Sequence, residues 1–248
     1  MMNLSELHIR EKVLRKSIPV FINSFNQLHY LSELVQFLLD NGFGNIFVLD
    51  NQSQYPPLLD WFREVIVSSA RRVSIIRYED NHGPHFFHRS ELFKSIWNYP
   101  HFYTDPDIIF TELSPVFVSY FLTVSEKLKV AKVASALSLP EVPDMMETQI
   151  RMPETNQMPV SIREWEARFW VEKISENIYL APVDTTFHLF NPAHYVPEGY
   201  YQGVRIAGKG FEARHRPWFK SDQSPLEERI FYKNSSIGYG GWLSSKQS

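Results

Sequence analysis

Asp105 and Asp107 stand one residue apart in Tyr103-Thr104-Asp105-Pro106-Asp107, directly after an aromatic, strand-like approach. Alternate carboxylates at a strand end can both reach one hard cation. Mg2+ or Mn2+ takes oxygen ligands in octahedral geometry and commonly uses one or two protein carboxylates, with phosphate oxygens and water completing the shell. A diphosphate would complete such a site. The same Asp-Pro-Asp also reads as a turn or a helix cap, because aspartate side chains satisfy nearby backbone N–H groups.

Other side chains invite chemistry, each beside a plainer reading. Asp184 lies in Pro182-Val183-Asp184-Thr185-Thr186, between two strand-like apolar stretches, where an unpaired buried carboxylate would be costly and a satisfied turn would not. Glu166 lies in Arg163-Glu164-Trp165-Glu166-Ala167-Arg168, where exposed Glu-Arg pairs at helical spacing are ordinary surface decoration. His215 sits between Arg214 and Arg216; guanidinium groups suit phosphate oxygens, and a surface histidine beside a loop is the alternative. His82, His85 and His88 have the spacing of zinc ligands, but Gly83-Pro84 interrupts any helix that would align them. Trp165, Trp170, Trp218 and Trp242 offer flat faces for a sugar ring or, equally, material for an aromatic core.

The elements that must position these groups follow from apolar spacing. Pro19 to Ile22 and Ile46 to Leu49 are short apolar runs ending in Asn23-Ser24 and Asp50-Asn51, with the length and bounds of buried strands. Between them Leu28, Leu31, Leu34, Val35, Leu38 and Leu39 recur at helical spacing, and Asn41-Gly42 stops the helix. A strand-helix-strand unit of this kind joins parallel neighbours, and ligands then sit beyond the carboxyl ends of the strands. The pattern predicts a helix over 57–67, a strand over 73–76, a short helix over 91–97, a helix over 115–128 and a strand over 132–137. Pro140, Pro143, Pro153 and Pro159 mark 140–159 as a long loop of the kind that serves as a flap. Beyond it come an aromatic helical stretch from Ile162, strands over 177–182 and 185–190, a turn near Gly208 and Gly210, and a helix from Pro225.

Composition bounds the rest. The 248 residues, 44% hydrophobic and 15% aromatic, are enough for one large domain with a real core. A net charge of −3 gives no basic surplus for nucleic acid. The absence of cysteine removes disulfides, thiolate nucleophiles and Cys-ligated zinc, and fits a reducing compartment. The first seventeen residues carry Glu6, Arg10, Glu11, Lys12, Arg15 and Lys16 with no signal-peptide core, and no apolar run approaches the roughly 18 residues of a membrane span. The expectation is a cytoplasmic protein without a transmembrane segment; peripheral membrane association stays open, and oligomeric state leaves no signature.

Four ordered stretches carry a resemblance: Pro19 to Asn26, Leu49 to Leu59, Asn81-His82-Gly83 and Tyr103 to Asp107. Together they resemble family 2-like GT-A glycosyltransferases. Tyr179 to Phe187 and Ala213 to Trp218 extend the likeness more loosely toward bacterial surface-polysaccharide enzymes. The resemblance implies an α/β, GT-A-type nucleotide-diphospho-sugar transferase fold with a Rossmann-like, mostly parallel central sheet flanked by helices. One domain over 1–248 is expected, with a nucleotide-sugar half over 18–140 and an acceptor-side half over 141–248. It further implies nucleoside contacts from Asn23, Ser24, Asp50 and Asn51, with Asn81 and Gly83 near base or ribose. Asp107 becomes the direct ligand of Mn2+ or Mg2+, Asp105 a ribose or metal contact, and His215 a late-chain metal ligand or a diphosphate contact. An inverting transfer needs a carboxylate base, for which Asp184 comes first and Glu166 second. The implied activity is transfer of a sugar, UDP-linked by preference, to a saccharide or other hydroxyl acceptor in polysaccharide or glycoconjugate synthesis; the alternative is an inactive nucleotide- or sugar-binding module. A nucleotidyltransferase or dinucleotide-binding reading wants glycines after the first strand, and Phe21 to Asn26 has none.

Overall fold

The computed structural model describes residues 4–150, 158–199 and 201–236. The chain runs α1 (Leu4–Ser17), β1 (Val20–Ser24), α2 (Leu28–Asp40), β2 (Ile46–Asp50), α3 (Pro56–Ser68), β3 (Val73–Arg77), α4 (Glu91–Ile96), β4 (His101–Thr104) and β5 (Ile108–Ile109). It continues through α5 (Phe117–Leu128), β6 (Lys132–Ser135), β7 (Leu137–Ser138), β8 (Gln149–Ile150), β9 (Val160–Ser161) and α6 (Ile162–Ala167). The last elements are β10 (Glu172–Ser175), β11 (Ile178–Leu180), β12 (His188–Phe190), β13 (Gly203–Ile206), β14 (Ala213–His215) and α7 (Leu226–Ser235).

Nine strands form one sheet in the order β10-β11-β13-β6-β12-β4-β1-β2-β3. The block β4-β1-β2-β3 is parallel throughout, and β13 is parallel to β6. β12 runs against both of its neighbours, and β11 against both of its own. Seven of the nine strands therefore point the same way, which makes this an α/β protein with a mostly parallel central sheet flanked by helices.

Packing explains why the helices sit where the periodicity puts them. α2 buries Leu31, Leu34, Val35 and Leu38 in the same core as Val20 and Ile22 of β1 and Val48 of β2. Each fully buried side chain of this size contributes about 1.5–3 kcal/mol. Phe102 of β4 belongs to the same core, and Phe117 and Phe121 of α5 lie 6.2 Å and 6.0 Å from its ring.

Three features depart from the sequence reading. First, the charged N-terminal segment is a helix. Glu11, 3% exposed, accepts from the backbone N–H groups of Val118 and Ser119, each at 2.9 Å, and from Arg15 Nε at 2.9 Å. It caps α5, whose own N-cap residue Val116 has no side chain to offer. Second, the strand expected over 132–137 is two strands: Ala136 hands the chain from the central sheet to a small sheet ordered β5-β14-β7. Third, the described part of the expected flap is pinned, with Asp144 accepting from the N–H and hydroxyl of Ser221, each at 2.7 Å, and Met146 N–H bonding Trp218 O at 2.9 Å. Residues 151–157 of that segment, and Trp242, lie outside the described residues. Among the described residues no helix is long and apolar enough to cross a membrane.

Candidate active site

A cavity of about 390 Å³ opens at the carboxyl ends of β1, β2 and β4. Its lining gathers Asn23, Asn51, Asn81, Gly83, Asp105, Asp107, Glu166, Asp184 and His215 from segments more than a hundred residues apart. Trp165 and Trp218 also face it, whereas Trp170 packs against Tyr179 at 5.1 Å.

On the side of β1 and β2, neutral amides hold the wall. Asn51 Nδ2 donates to Asn23 Oδ1 at 2.6 Å, His82 N–H donates to Asn51 Oδ1 at 3.3 Å, and Gly83 N–H to Asn81 Oδ1 at 2.9 Å. Gly83 has φ +79°, a left-handed conformation that side chains resist. Asn26, itself left-handed at φ 51°, accepts from Gln54 and Tyr55 N–H at 2.7 Å and 3.0 Å and so ties the β1–α2 turn to the β2–α3 turn.

Two expected nucleoside contacts do not line the cavity. Asp50 is fully buried, with Oδ1 accepting from Ser53 N–H at 3.2 Å and Oδ2 from Arg77 Nε at 2.8 Å. Its carboxylate holds the turn beneath the cavity floor. Ser24 is also fully buried, inside the sheet at the end of β1.

Asp105 and Asp107 follow β4 where β5 begins, and β14 is laid against β5 with His215 opposite Ile108. Arg216 N–H bonds Asp107 O at 2.9 Å, and His215 Nε2 comes to 3.6 Å from Asp107 Oδ2. Oδ1 of Asp105 and Oδ1 of Asp107 are buried without a hydrogen-bond partner. Burial, and then the charge of Asp107, raises the pKa of Asp105 to about 8. Burial lowers that of His215 in spite of Asp107. Two unpartnered buried carboxylate oxygens are an electrostatic liability that a divalent cation removes, so the donor set fits Mn2+ or Mg2+. Even so, Asp105, Asp107 and His215 are not a preassembled cage: no three His, Asp or Glu side chains among the described residues are grouped to hold a metal.

The opposite wall is built from charges. Glu166 is 1% exposed, not on the surface, and its partner is remote in sequence: Arg205 Nη1 reaches Glu166 Oε1 at 3.1 Å. Trp170 Nε1 donates to the same oxygen at 3.3 Å, and Arg205 spends Nε and Nη2 on Pro182 O at 3.2 Å and 3.1 Å. Burial lifts Glu166 to about 7 against the pull of Arg205. Asp184 is half exposed at the cavity edge, 3.1 Å from His85 Nδ1. That hydrogen bond raises the pKa of His85, outweighing its burial. The three histidines take separate partners: His82 packs edge-on to Tyr78 and His88 against Tyr201, while His85 takes Asp184.

Sequence reasoning missed Arg205, which lines the cavity, and the buried Lys132, which lies outside the lining. Both lie in strands, Lys132 with 1% exposure and its Nζ 3.2 Å from Val183 O. Burial brings its pKa down to about 7. The available signal was a lone cation within a short apolar run, Gly203-Val204-Arg205-Ile206 and Lys132-Val133-Ala134.

No protein-family model matches the chain, and no curated protein matches it. Among solved structures it is similar to a mannosyltransferase from Pyrobaculum calidifontis in complex with GDP-Man and Mn2+, at 12% identity and TM-score 0.38 over 52% of this chain and 37% of that one. It is also similar to GalNAc-T7 with UDP, GalNAc and Mn2+, at 11% identity and TM-score 0.49 over 91% of this chain and 52% of that one. A third is a UDP-glucose pyrophosphorylase complexed with UDP-glucose, at 11% identity and TM-score 0.45 over 88% of this chain and 99% of that one. The chain thus spans 37% and 52% of the lengths of the first two.

Proposed function

We propose that this protein is a metal-dependent glycosyltransferase of the GT-A type that moves a sugar from a nucleoside-diphosphate donor, a UDP-sugar by preference, to a hydroxyl of a saccharide or glycoconjugate. The observation that carries the reading is the pair of buried, unpartnered oxygens of Asp105 and Asp107 facing one cavity that also holds Asp184. Asp107 and Asp105, with His215 beside them, would hold Mn2+ or Mg2+, which would supply positive charge against the negative charge of a departing diphosphate. Asn23, Asn51, Asn81 and Gly83 line the nucleoside end. Asp184, half exposed and oriented by His85, takes the proton of the acceptor hydroxyl as its oxygen attacks the anomeric carbon and the bond from that carbon to the diphosphate breaks. Glu166, held by Arg205 and Trp170, has less freedom to act as base and instead presents a fixed carboxylate to sugar hydroxyls.

Thermal unfolding with UDP, GDP, CDP and dTDP, each with and without Mn2+, tests this for the wild type and D107A. A ligand at a hundred times its dissociation constant adds about 2.7 kcal/mol, a shift of several degrees in a chain of this size. One diphosphate should stabilise the wild type only with Mn2+, and D107A should abolish the effect. If no diphosphate shifts the wild type under any metal condition, the donor site is not there.

A further inference from the structure

The C-terminal helix α7 has no part in the site as drawn so far, yet it is docked on the two turns that build the nucleoside end. Glu228, 3% exposed, accepts from His29 N–H at 3.2 Å and 3.1 Å through its two oxygens, at the start of α2. Asn26 Nδ2 donates to Ser235 Oγ at 2.9 Å, and Phe231 packs on Tyr55 with ring centres 5.0 Å apart. This docking brings Tyr232 and Ser236, one helical turn apart, into the cavity lining beside Asp107, His215 and Phe25. The ring of Tyr232 meets Phe25 edge-on at 6.1 Å.

We propose that Tyr232 is a donor-binding residue whose phenolic O–H hydrogen-bonds a phosphate oxygen of the nucleoside diphosphate, so that α7 forms the outer wall of the diphosphate pocket. The inference rests on the functional reading above and names one more contact to the same ligand. A phenol suits the position because it donates a hydrogen bond without adding charge. The phenol has a side-chain hydrogen bond with Ser236, its neighbour in the cavity lining, while Oδ1 of Asp107 and Oδ1 of Asp105 have no hydrogen-bond partner. A phosphate oxygen held near those carboxylates by a cation is an acceptor of the kind a phenol at this wall can reach. The position of Tyr232 among purely packing residues is the competing explanation, and removal of one oxygen atom separates the two.

The test is calorimetric titration, well below the unfolding midpoint, of wild type, Y232F and D107A with inorganic pyrophosphate, UDP and uridine in the presence of Mn2+. Wild type should bind pyrophosphate and UDP. Y232F should bind both about tenfold or more weakly, as expected for a lost hydrogen bond to a charged group, while its affinity for uridine matches that of wild type. If Y232F binds pyrophosphate and UDP as wild type does while D107A does not, Tyr232 is a packing residue and the donor site stands without it. If Y232F weakens uridine as much as UDP, the residue acts on the nucleoside end and the phosphate assignment is wrong. If wild type binds neither pyrophosphate nor UDP, the functional reading falls and this inference with it.

Discussion

The two walls of the cavity are built by different means. Around β1 and β2 the polar groups are neutral amides joined over short turns, Asn51 to Asn23 at 2.6 Å and Gly83 to Asn81 at 2.9 Å. On the opposite side they are charged groups paired across the fold: Glu166 with Arg205 in the interior and Asp184 with His85 at the edge. A wall of satisfied amides keeps its hydrogen-bonding pattern across pH and presents a fixed surface to the cavity. A wall of buried charges stores electrostatic energy that a reacting group can use, and it collapses when one partner is lost.

The sharpest way to separate the walls is D184N. If the charged wall carries chemistry and the amide wall carries nucleotide binding, this substitution lowers the transfer rate by about 10²–10⁴-fold while the Mn2+-dependent UDP shift in unfolding temperature persists. Loss of UDP binding together with transfer would show the two walls to be one unit.

The second effect is on stability. R205M leaves the Glu166 carboxylate buried without its guanidinium, a loss of about 3–5 kcal/mol, or roughly 6–20 °C in the unfolding midpoint for a chain of this size. The double substitution E166L/R205M removes both charges and should recover most of that loss. A double variant no more stable than R205M would mean that packing over Phe169, which lies 3.9 Å from the guanidinium carbon of Arg205, matters more than the ion pair.

On the amide wall the corresponding change is smaller. N51A takes away the donor to Asn23 and the acceptor for His82 N–H, both neutral, for about 1–2 kcal/mol. UDP affinity should fall with it while the rate at saturating donor holds. A stability loss as large as that of R205M would erase the distinction between the walls.

The same division governs what was legible in the sequence. The parallel block β1-β2-β3 could be read because each strand and its helix are neighbours in the chain, and their apolar spacing is local; α2 and α3 deviate from expectation by about a residue at each end. The cluster of Asn23, Asn51, Asn81, Asp105 and Asp107 follows from that block, since strand ends of a parallel sheet share an edge. The charged wall depends on pairings between distant short strands, β12 with both β4 and β6 and β13 with β6, for which no local signal exists. Glu166 reads as a surface residue because Arg163 and Arg168 are its neighbours in sequence, whereas its partner is thirty-nine residues away. Helix capping hides in the same manner. Val116 and Gln27 are poor caps, and the helices they begin are completed by Glu11 from α1 and Glu228 from α7.

That last residue gives the smallest and most specific effect, because it adds a titratable group to the side built from neutral amides over the Asp50–Arg77 pair. Burial raises the pKa of Glu228 to about 7, above its ordinary 4.5, against the pull of the His29 and Leu28 N–H groups. With the folded-state value above the unfolded one, the folded protein holds the proton more tightly. The stabilisation is complete below the ordinary value and is lost as pH rises through about 7. Between about pH 5 and pH 8 the wild-type unfolding midpoint should therefore fall by about 2–4 °C relative to E228Q, whose amide keeps its shape but does not titrate, on the order of 1 kcal/mol. Parallel pH profiles for the two proteins would assign the docking of α7 to its hydrogen bonds alone.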